Sequence, residues 1–468
     1  MEGTVLVALF PFVLLVVLSM LKSLLVAKPK HNLPPGPWTL PVIGNLHHLV
    51  TGPNIHHAMR RLARKHGPLM TLRLGEVPAM VVSSPEGAQE VLKTHDVTFA
   101  DRHVNATCSA FTFGGNDVAF APYGERWRQL RKICVLELLS AARVLSFRRI
   151  REEEVARLME KLAEEYLDAN DMAIRETSGL AVADLFPSLR LLKVLGTAPR
   201  KVLECRDRIQ HIIEQVIQET REAMDHGDDK SFVSVLLRLQ KERSMPIPLD
   251  DNTIAALTFD MFAAGTETSS TTLNWCMTEL VRNPWAMAKA QAEVREAFKG
   301  KSTINEEDLK GLSYVKLVIK EALRLHTPAP LLIPRKCRET CEVLGYDVPK
   351  GTVIFVNMWA ICRDPKYWSH SEEFRPERFE NSNLDYRGTN YEFLPFGAGR
   401  RICPGINLGV GNIELALASL LYHFDWKLPE GIEPKDVDVS EGAGLLVAYK
   451  KSSLMVHPVT RIPLADDV

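Results

Sequence analysis

Residues 393–405 read FLPFGAGRRICPG, and the rest of the chain makes sense as apparatus for the sulfur of Cys403. A cysteine that ligates a metal needs a thiol pKa drawn down towards thiolate, backbone donors near its sulfur, and a loop thin enough to lie against a flat cofactor. This stretch supplies all three. Gly397, Gly399 and Gly405 remove Cβ atoms where backbone must approach a planar group, and Pro395 and Pro404 stiffen the loop between them. Downstream, NLGVGNIELALASLLYHF spaces apolar residues three and four apart, so the sulfur precedes a helix N-terminus. The unpaired amides and positive dipole end there favour thiolate over thiol. The plain alternative is a buried free cysteine in a glycine-rich turn.

Phe396, Gly399, Arg401, Cys403 and Gly405 match, position for position, the cysteine-ligand signature of the cytochrome P450 haem-thiolate monooxygenases, and the chain resembles that family along most of its length. The resemblance implies the cytochrome P450 fold, mainly α with small β-sheets, behind an N-terminal transmembrane anchor. It implies haem b (iron protoporphyrin IX) as cofactor and Cys403 as the iron ligand. Arg400 and Arg401 then bring guanidinium forks within reach of the haem propionates, and Phe396 covers the sulfur side of the ring.

With 468 residues, 46% hydrophobic and 25% charged, the chain can bury a large core, and no break in composition divides it. The reading is an anchor at 1–27, a proline-rich hinge at 28–41 and one catalytic domain over 42–468. A net charge of −1 gives no basic field for nucleic acid. The eight cysteines form no disulfide framework, which fits a reducing compartment. Cys337 and Cys341 are four apart, but no second pair completes a zinc site.

Val5 to Leu21 carries no charge and the apolar run continues to Ala27 with only Lys22 interrupting, meeting the ~20 residues a membrane helix requires. Lys28 and Lys30 follow the run, which argues against a cleaved signal peptide and keeps the body cytosolic at the endoplasmic reticulum membrane. NLPPGPWTLPVIGNL then gives a stiff extended hinge. Residues 54–66 read as a basic amphipathic helix, LMTLRLGEVPAMVVSS as two strands joined at Gly75 and Glu76, and SPEGAQEVLKTH as a helix capped by Ser84.

By resemblance, the loop from Phe99 to Asp117, with Phe111 and Phe113, lines the substrate pocket. GERWRQLRKICVLELLS reads as a helix with Trp127 and Arg131 on one face, and the family's Trp-x-x-x-Arg pair holds a haem propionate. Beyond Leu167 the chain departs from the family. A few dozen residues are missing around 165–185, where another helix is expected. Pro199 to Arg243 is helical and highly charged, as for a mobile lid.

Asp250 opens a long helix that runs to Pro284 and carries AGTET at its centre. Gly265 and the threonines there are poor helix formers, so a groove opened at Gly265 and lined by Thr268 is expected. Glu267 and Thr268 resemble the family's acid–threonine proton relay. Leu257, Met261 and Ala264 lie along the same pocket side.

Glu321 and Arg324, three apart and flanked by leucines, match the family's Glu-x-x-Arg motif, and Arg378 in PERF its later arginine. Together they form a buried ion cluster behind the cysteine loop. Leu331 and Leu332 read as an extended pocket segment, Arg335 as a further propionate partner, and Leu446 as a pocket turn. Residues 341–357 and 443–457 alternate as short strands.

The whole resembles the plant microsomal A-type branch. The expected activity is monooxygenation of a hydrophobic secondary metabolite, a terpenoid, with O2 and electrons from NADPH–cytochrome P450 reductase. Two rivals are an isomerase or dehydratase on the same fold, which the Glu267–Thr268 pair speaks against, and an inactive haem-binding relict.

Overall fold

The computed structural model describes residues 31–52, 54–104, 108–109, 117–164, 197–226, 231–243, 245–442, 444 and 446–463. The expected anchor, Phe111 and Phe113, and the junction at 165–185 lie outside them. Among the described residues no helix is long and apolar enough to cross a membrane.

Nine helices of eight or more residues are present among the described residues. They are α1 (Ile55–His66), α2 (Glu125–Lys132), α3 (Arg148–Glu164), α4 (Thr197–Asp225), α5 (Phe232–Glu242), α6 (Asp251–Arg282), α7 (Pro284–Ala297), α8 (Tyr314–Leu325) and α9 (Ile406–His423). Helix α6 crosses the molecule and packs on α8 and α9 on one side and on α4 and α5 on the other. Asp250 caps it by accepting the Thr253 N–H at 2.8 Å, and it ends at Arg282, two residues before Pro284. Gly265 does not interrupt it. The Thr268 hydroxyl donates to the Ala264 carbonyl at 2.7 Å, so the helix is continuous where a groove in its ladder was expected.

Strands β1 (Leu69–Leu74) and β2 (Val77–Val82) form the expected hairpin, turning at Gly75 with φ 63°. A mixed sheet of order β1-β2-β7-β4-β3 continues through β7 (Val353–Val356), β4 (Arg335–Lys336) and β3 (Asp101–Arg102). β5 (Cys341–Val343) pairs with β6 (Tyr346–Val348), and β8 (Phe424–Lys427) with β9 (His457–Thr460). Among the described residues of 443–457 no strand forms before β9 begins at His457. The backbone there makes one bridge, Glu441 to Lys450, because its amide and carbonyl groups go to turns and to Pro328.

Helix α2 gives way at Ile133 to a π-helical turn that ends at Leu138. Three apolar clusters fill the interior. The largest lies between α6, α7, α8 and α9, a second joins α2 to α5 and the first half of α6, and the third sits between α1 and the mixed sheet.

Candidate active site

The cysteine loop enters from Phe393, fully buried and packed on Phe379 with ring centroids 5.1 Å apart. Gly399 takes φ 70°, and a Cβ there would sit 2.2 Å from the Leu92 carbonyl oxygen. Only glycine fits. Gly405 is different. Its backbone is ordinary and a Cβ would meet only the Cys403 sulfur at 3.8 Å, so its use is its N–H, which donates to Sγ at 3.4 Å. Gly405 is also the N-cap of α9, as the sequence predicts. Burial pushes the Cys403 thiol up, and the Gly405 N–H and the Arg131 charge offset this only in part. The expected depression is thus not a property of the loop alone, because desolvation outweighs one N–H donor and one nearby charge.

Arg401 is buried, and its guanidinium donates to the carbonyls of Ala100 at 2.8 Å, Val118 at 3.3 Å and Ala121 at 2.5 Å, while lying 4.2 Å from the Trp127 ring centroid. Trp127 Nε1 also donates to the Val118 carbonyl, at 3.1 Å. Trp127 thus gives its one N–H, and Arg401 three of its five, to backbone carbonyls. Arg335 donates to Asp96 at 3.3 Å and to the Ala398 carbonyl at 3.0 Å. Arg131 makes no hydrogen bond among the described residues and lies close enough to Cys403 to feel its charge. Phe396 is half-buried against Tyr386, 5.4 Å between ring centroids.

Arg102, which the sequence reading passed over, joins this group through the carbonyls of Ala119 at 3.1 Å and Ile333 at 2.6 Å. Burial lowers its pKa well below the ordinary value, and Arg335, Arg401 and Arg131 add to the effect. Arg401 is lowered to about 10 for the same reasons. Four partly or fully buried guanidinium groups thus crowd one region beside the cysteine.

Across from the loop, α6 is buried at Leu257 and Thr271 but shows surface between them at Phe262, Ala264, Thr266 and Ser270. A Cβ on Gly409 of α9 would lie 3.8 Å from Ser269 Oγ, so the helix that follows Cys403 meets α6 beside Thr268. Burial raises the Glu267 carboxyl above its ordinary 4.5, so it keeps its proton further up the pH scale. Met261, Leu332 and Leu446 are half-buried. Leu257 and Leu331, also expected along the pocket, show almost no surface. Both are fully buried, Leu257 against the α2 cluster and Leu331 against the sheet, since periodicity gives a face without saying which neighbour covers it.

The ion cluster forms as read. Arg324 donates to Glu321 through Nε and Nη2 at 2.8 Å each, and Arg378 Nε reaches the same carboxylate at 2.9 Å. The other Arg324 donors take the carbonyls of Cys362 at 2.7 Å and Ser371 at 2.8 Å.

A cytochrome P450 family model matches residues 34–177 and 163–456. The chain belongs to the cytochrome P450 family. This P450 is 61% identical over 501 residues to dolabradiene monooxygenase of Zea mays, covering 98% of this chain and 99% of that protein. It is 61% identical over 502 residues to zealexin A1 synthase of Zea mays, at 99% coverage of each. To ent-cassadiene hydroxylase of Oryza sativa subsp. japonica it is 54% identical over 511 residues, covering 98% of each. A zebrafish cytochrome P450 solved with abiraterone shares its fold with a TM-score of 0.72 at 26% identity, over 87% of this chain and 99% of that one.

The protein is therefore a cytochrome P450 monooxygenase with haem b as cofactor. The residues present fit that group. The Cys403 sulfur would supply its iron ligand, and Arg102, Arg131, Arg335 and Arg401, whose charges burial and one another disfavour, would gain from its two carboxylates.

Proposed function

We propose that this chain hydroxylates a hydrophobic terpenoid with O2 and electrons from an NADPH-dependent cytochrome P450 reductase, anchored at the endoplasmic reticulum membrane by its N-terminal apolar run. The observation that supports the reading is the approach of α9, the helix that follows Cys403, to α6 at Gly409 and Ser269, next in sequence to the Glu267–Thr268 pair. Haem, when bound, supplies a thiolate-ligated iron that activates dioxygen.

The chain's own residues then have separate tasks. Cys403 offers its sulfur as ligand, and the Gly405 N–H at 3.4 Å tempers the charge on it. Arg131 binds an anionic edge, held in place by α2. Arg335 and Arg401 shape the cradle around it through Ala398, Val118 and Ala121. Glu267 holds a proton because burial raises its carboxyl. The Thr268 hydroxyl donates to the Ala264 carbonyl and keeps its lone pairs free to accept a hydrogen bond; turning its proton away from that carbonyl lets it donate one as it accepts another. Met261, Ala264, Leu332 and Leu446 present apolar surface that orients a hydrocarbon and excludes water.

The terpenoid assignment is supported by relatives at 54–61% identity whose names specify dolabradiene, zealexin A1, ent-cassadiene and ent-isokaurene. The chain is also read as shortened near 165–185. Supporting this, its alignment with the maize monooxygenase spans 501 positions although the chain has 468 residues, and the two family-model matches meet at 163–177. A missing helix exposes the apolar faces it would cover.

Two measurements test the reading. Reduced, carbon-monoxide-bound protein is expected to show the thiolate-type Soret band, and microsomes carrying the reductase, fed a terpene panel, are expected to yield oxygenated products by mass spectrometry. Turnover of polar aromatic substrates alone removes the terpenoid, and absence of both band and product removes the monooxygenase.

A further inference from the structure

Asp260 stands out in LTFDMFAAGTET as an acid inside a helix that is otherwise apolar around it. Aspartate is a poor helix-interior residue, and a desolvated carboxyl is costly unless it is hydrogen-bonded. Its partner lies outside the helix. Asp260 Oδ2 accepts the Val118 N–H at 2.7 Å. By contrast, the hydroxyls of Thr258, Thr268, Ser270 and Thr272 all return to the backbone of α6 itself.

Val118 is a junction. Its carbonyl accepts both Trp127 Nε1 at 3.1 Å and Arg401 Nη1 at 3.3 Å, and the carbonyls of Ala119 and Ala121 accept Arg102 at 3.1 Å and Arg401 at 2.5 Å. Asp117, fully buried, closes the segment by accepting the Phe120 N–H at 2.5 Å, and its other oxygen has no hydrogen-bond partner among the described residues. Residues 117–121 therefore give an amide to α6 and carbonyls to β3, to α2 and to the cysteine loop.

The position of Asp260 on α6 matters. Ala264 and Glu267 follow it at four and seven residues, so all three share one face. Beyond the open stretch, α6 is fastened again, where Trp275 donates to the Ala448 carbonyl at 3.3 Å and Glu279 meets His326 at 2.8 Å. The half-open turns carrying Gly265, Glu267 and Thr268 lie between these two fastenings.

We propose that Asp260 is a positioning residue for the acid–threonine pair: by holding the Val118 amide it fixes α6 in register with the Arg401–Cys403 loop. The inference rests on the monooxygenase reading for its catalytic consequence, though not for the tether itself. Burial raises the Asp260 carboxyl well above its ordinary value, and nearby Asp117 adds to the effect, so an uncharged carbonyl acceptor suits this position. An asparagine therefore reproduces the acceptor, and an alanine does not.

The test compares Asp260→Asn and Asp260→Ala in the full chain, haem-loaded and supplied with reductase. Product formed per NADPH consumed is expected to fall about ten-fold or more in Asp260→Ala, since a small misplacement of a reacting group costs that much. Asp260→Asn is expected to stay within about two-fold of the unaltered chain, because the hydrogen bond survives. Hydrogen–deuterium exchange supplies the second readout. Peptides covering 117–121 and 258–270 are expected to exchange faster together in Asp260→Ala and in neither case in Asp260→Asn. Equal impairment of the two variants, unchanged coupling in Asp260→Ala, or loosening of only one peptide overturns the proposal. If the unaltered chain makes no product and shows no thiolate band, the monooxygenase reading fails, and the exchange of the two peptides still decides the tether.

Discussion

Arg324 grips Glu321 through two parallel hydrogen bonds of 2.8 Å, and neither side chain has any surface in contact with solvent. A pair three apart on an exposed helix contributes little, whereas a desolvated pair leaves a bare charge when one partner goes. The same carboxylate also accepts the Arg375 N–H at 2.8 Å and Arg378 Nε at 2.9 Å, and Phe379, next to Arg378, packs on the first residue of the cysteine loop.

Replacing Glu321 by Ala is accordingly expected to destabilise the fold by about 3–5 kcal/mol, with loss of haem content. Urea unfolding and the haem-to-protein absorbance ratio check it. Full retention of haem with an unchanged urea midpoint would show that the cluster does not brace the loop.

Cys403→Ser is expected to abolish the thiolate-type Soret band and turnover. Gly399→Ala should weaken haem retention by a different route, since its left-handed backbone and the Leu92 carbonyl 2.2 Å from the new Cβ cost roughly 1–3 kcal/mol of local strain. Spectral titration with haem distinguishes the two, the first changing the band and the second the affinity.

For the proton relay, Thr268→Ala and Glu267→Gln are expected to lower product formation about 10²-fold while NADPH oxidation continues, because proton delivery and not electron entry is impaired. Burial raises the Glu267 pKa from 4.5, so the protonated donor is lost as pH rises through that elevated value. Coupling should therefore fall with rising pH, and Glu267→Gln should flatten the profile. A profile identical in both proteins would remove Glu267 from the relay.

Stability should respond to acid in two stages. Burial lowers the pKa values of His56 and His326 from 6.5 more than their glutamate partners raise them, and His326 Nδ1 is buried with no hydrogen-bond partner among the described residues. A depressed pKa means a contribution complete above pH 6.5 and lost as pH falls through the folded value. Burial alone would raise Glu279 and Glu441, but hydrogen bonds from His326 and from His56 and His57 hold both below 4.5, so their contribution persists to lower pH and is lost only on further acidification. The urea midpoint should be flat above pH 6.5, fall between 6.5 and 4.5, and fall again below. In His326→Gln the upper stage should shrink.

Local chemistry was readable wherever a residue's role depends on its immediate neighbours. The Ser84 and Asp250 caps, the Gly75 hairpin and the Glu321–Arg324 pair follow from spacing and side-chain type. Roles set by distant segments were not readable. Trp127 and Arg401 share the Val118 carbonyl, a partner 283 residues from Arg401 in sequence, and no periodicity announces that. Leu257 and Leu331 have the right polarity for a pocket, but helix α2 and the sheet cover them. Arg102 passed unnoticed because a lone arginine in a two-residue strand carries no pattern. Among the described residues of 443–457 no strand forms before β9, because alternation specifies a face but supplies no partner edge.

The crowding of Arg102, Arg131, Arg335 and Arg401 has a consequence for how the protein chooses what it loads. A neutral disc of the right diameter would leave these buried like charges uncompensated, whereas one bearing two carboxylates would offset them. The cradle would thus favour a dianionic group over a neutral one of the same shape.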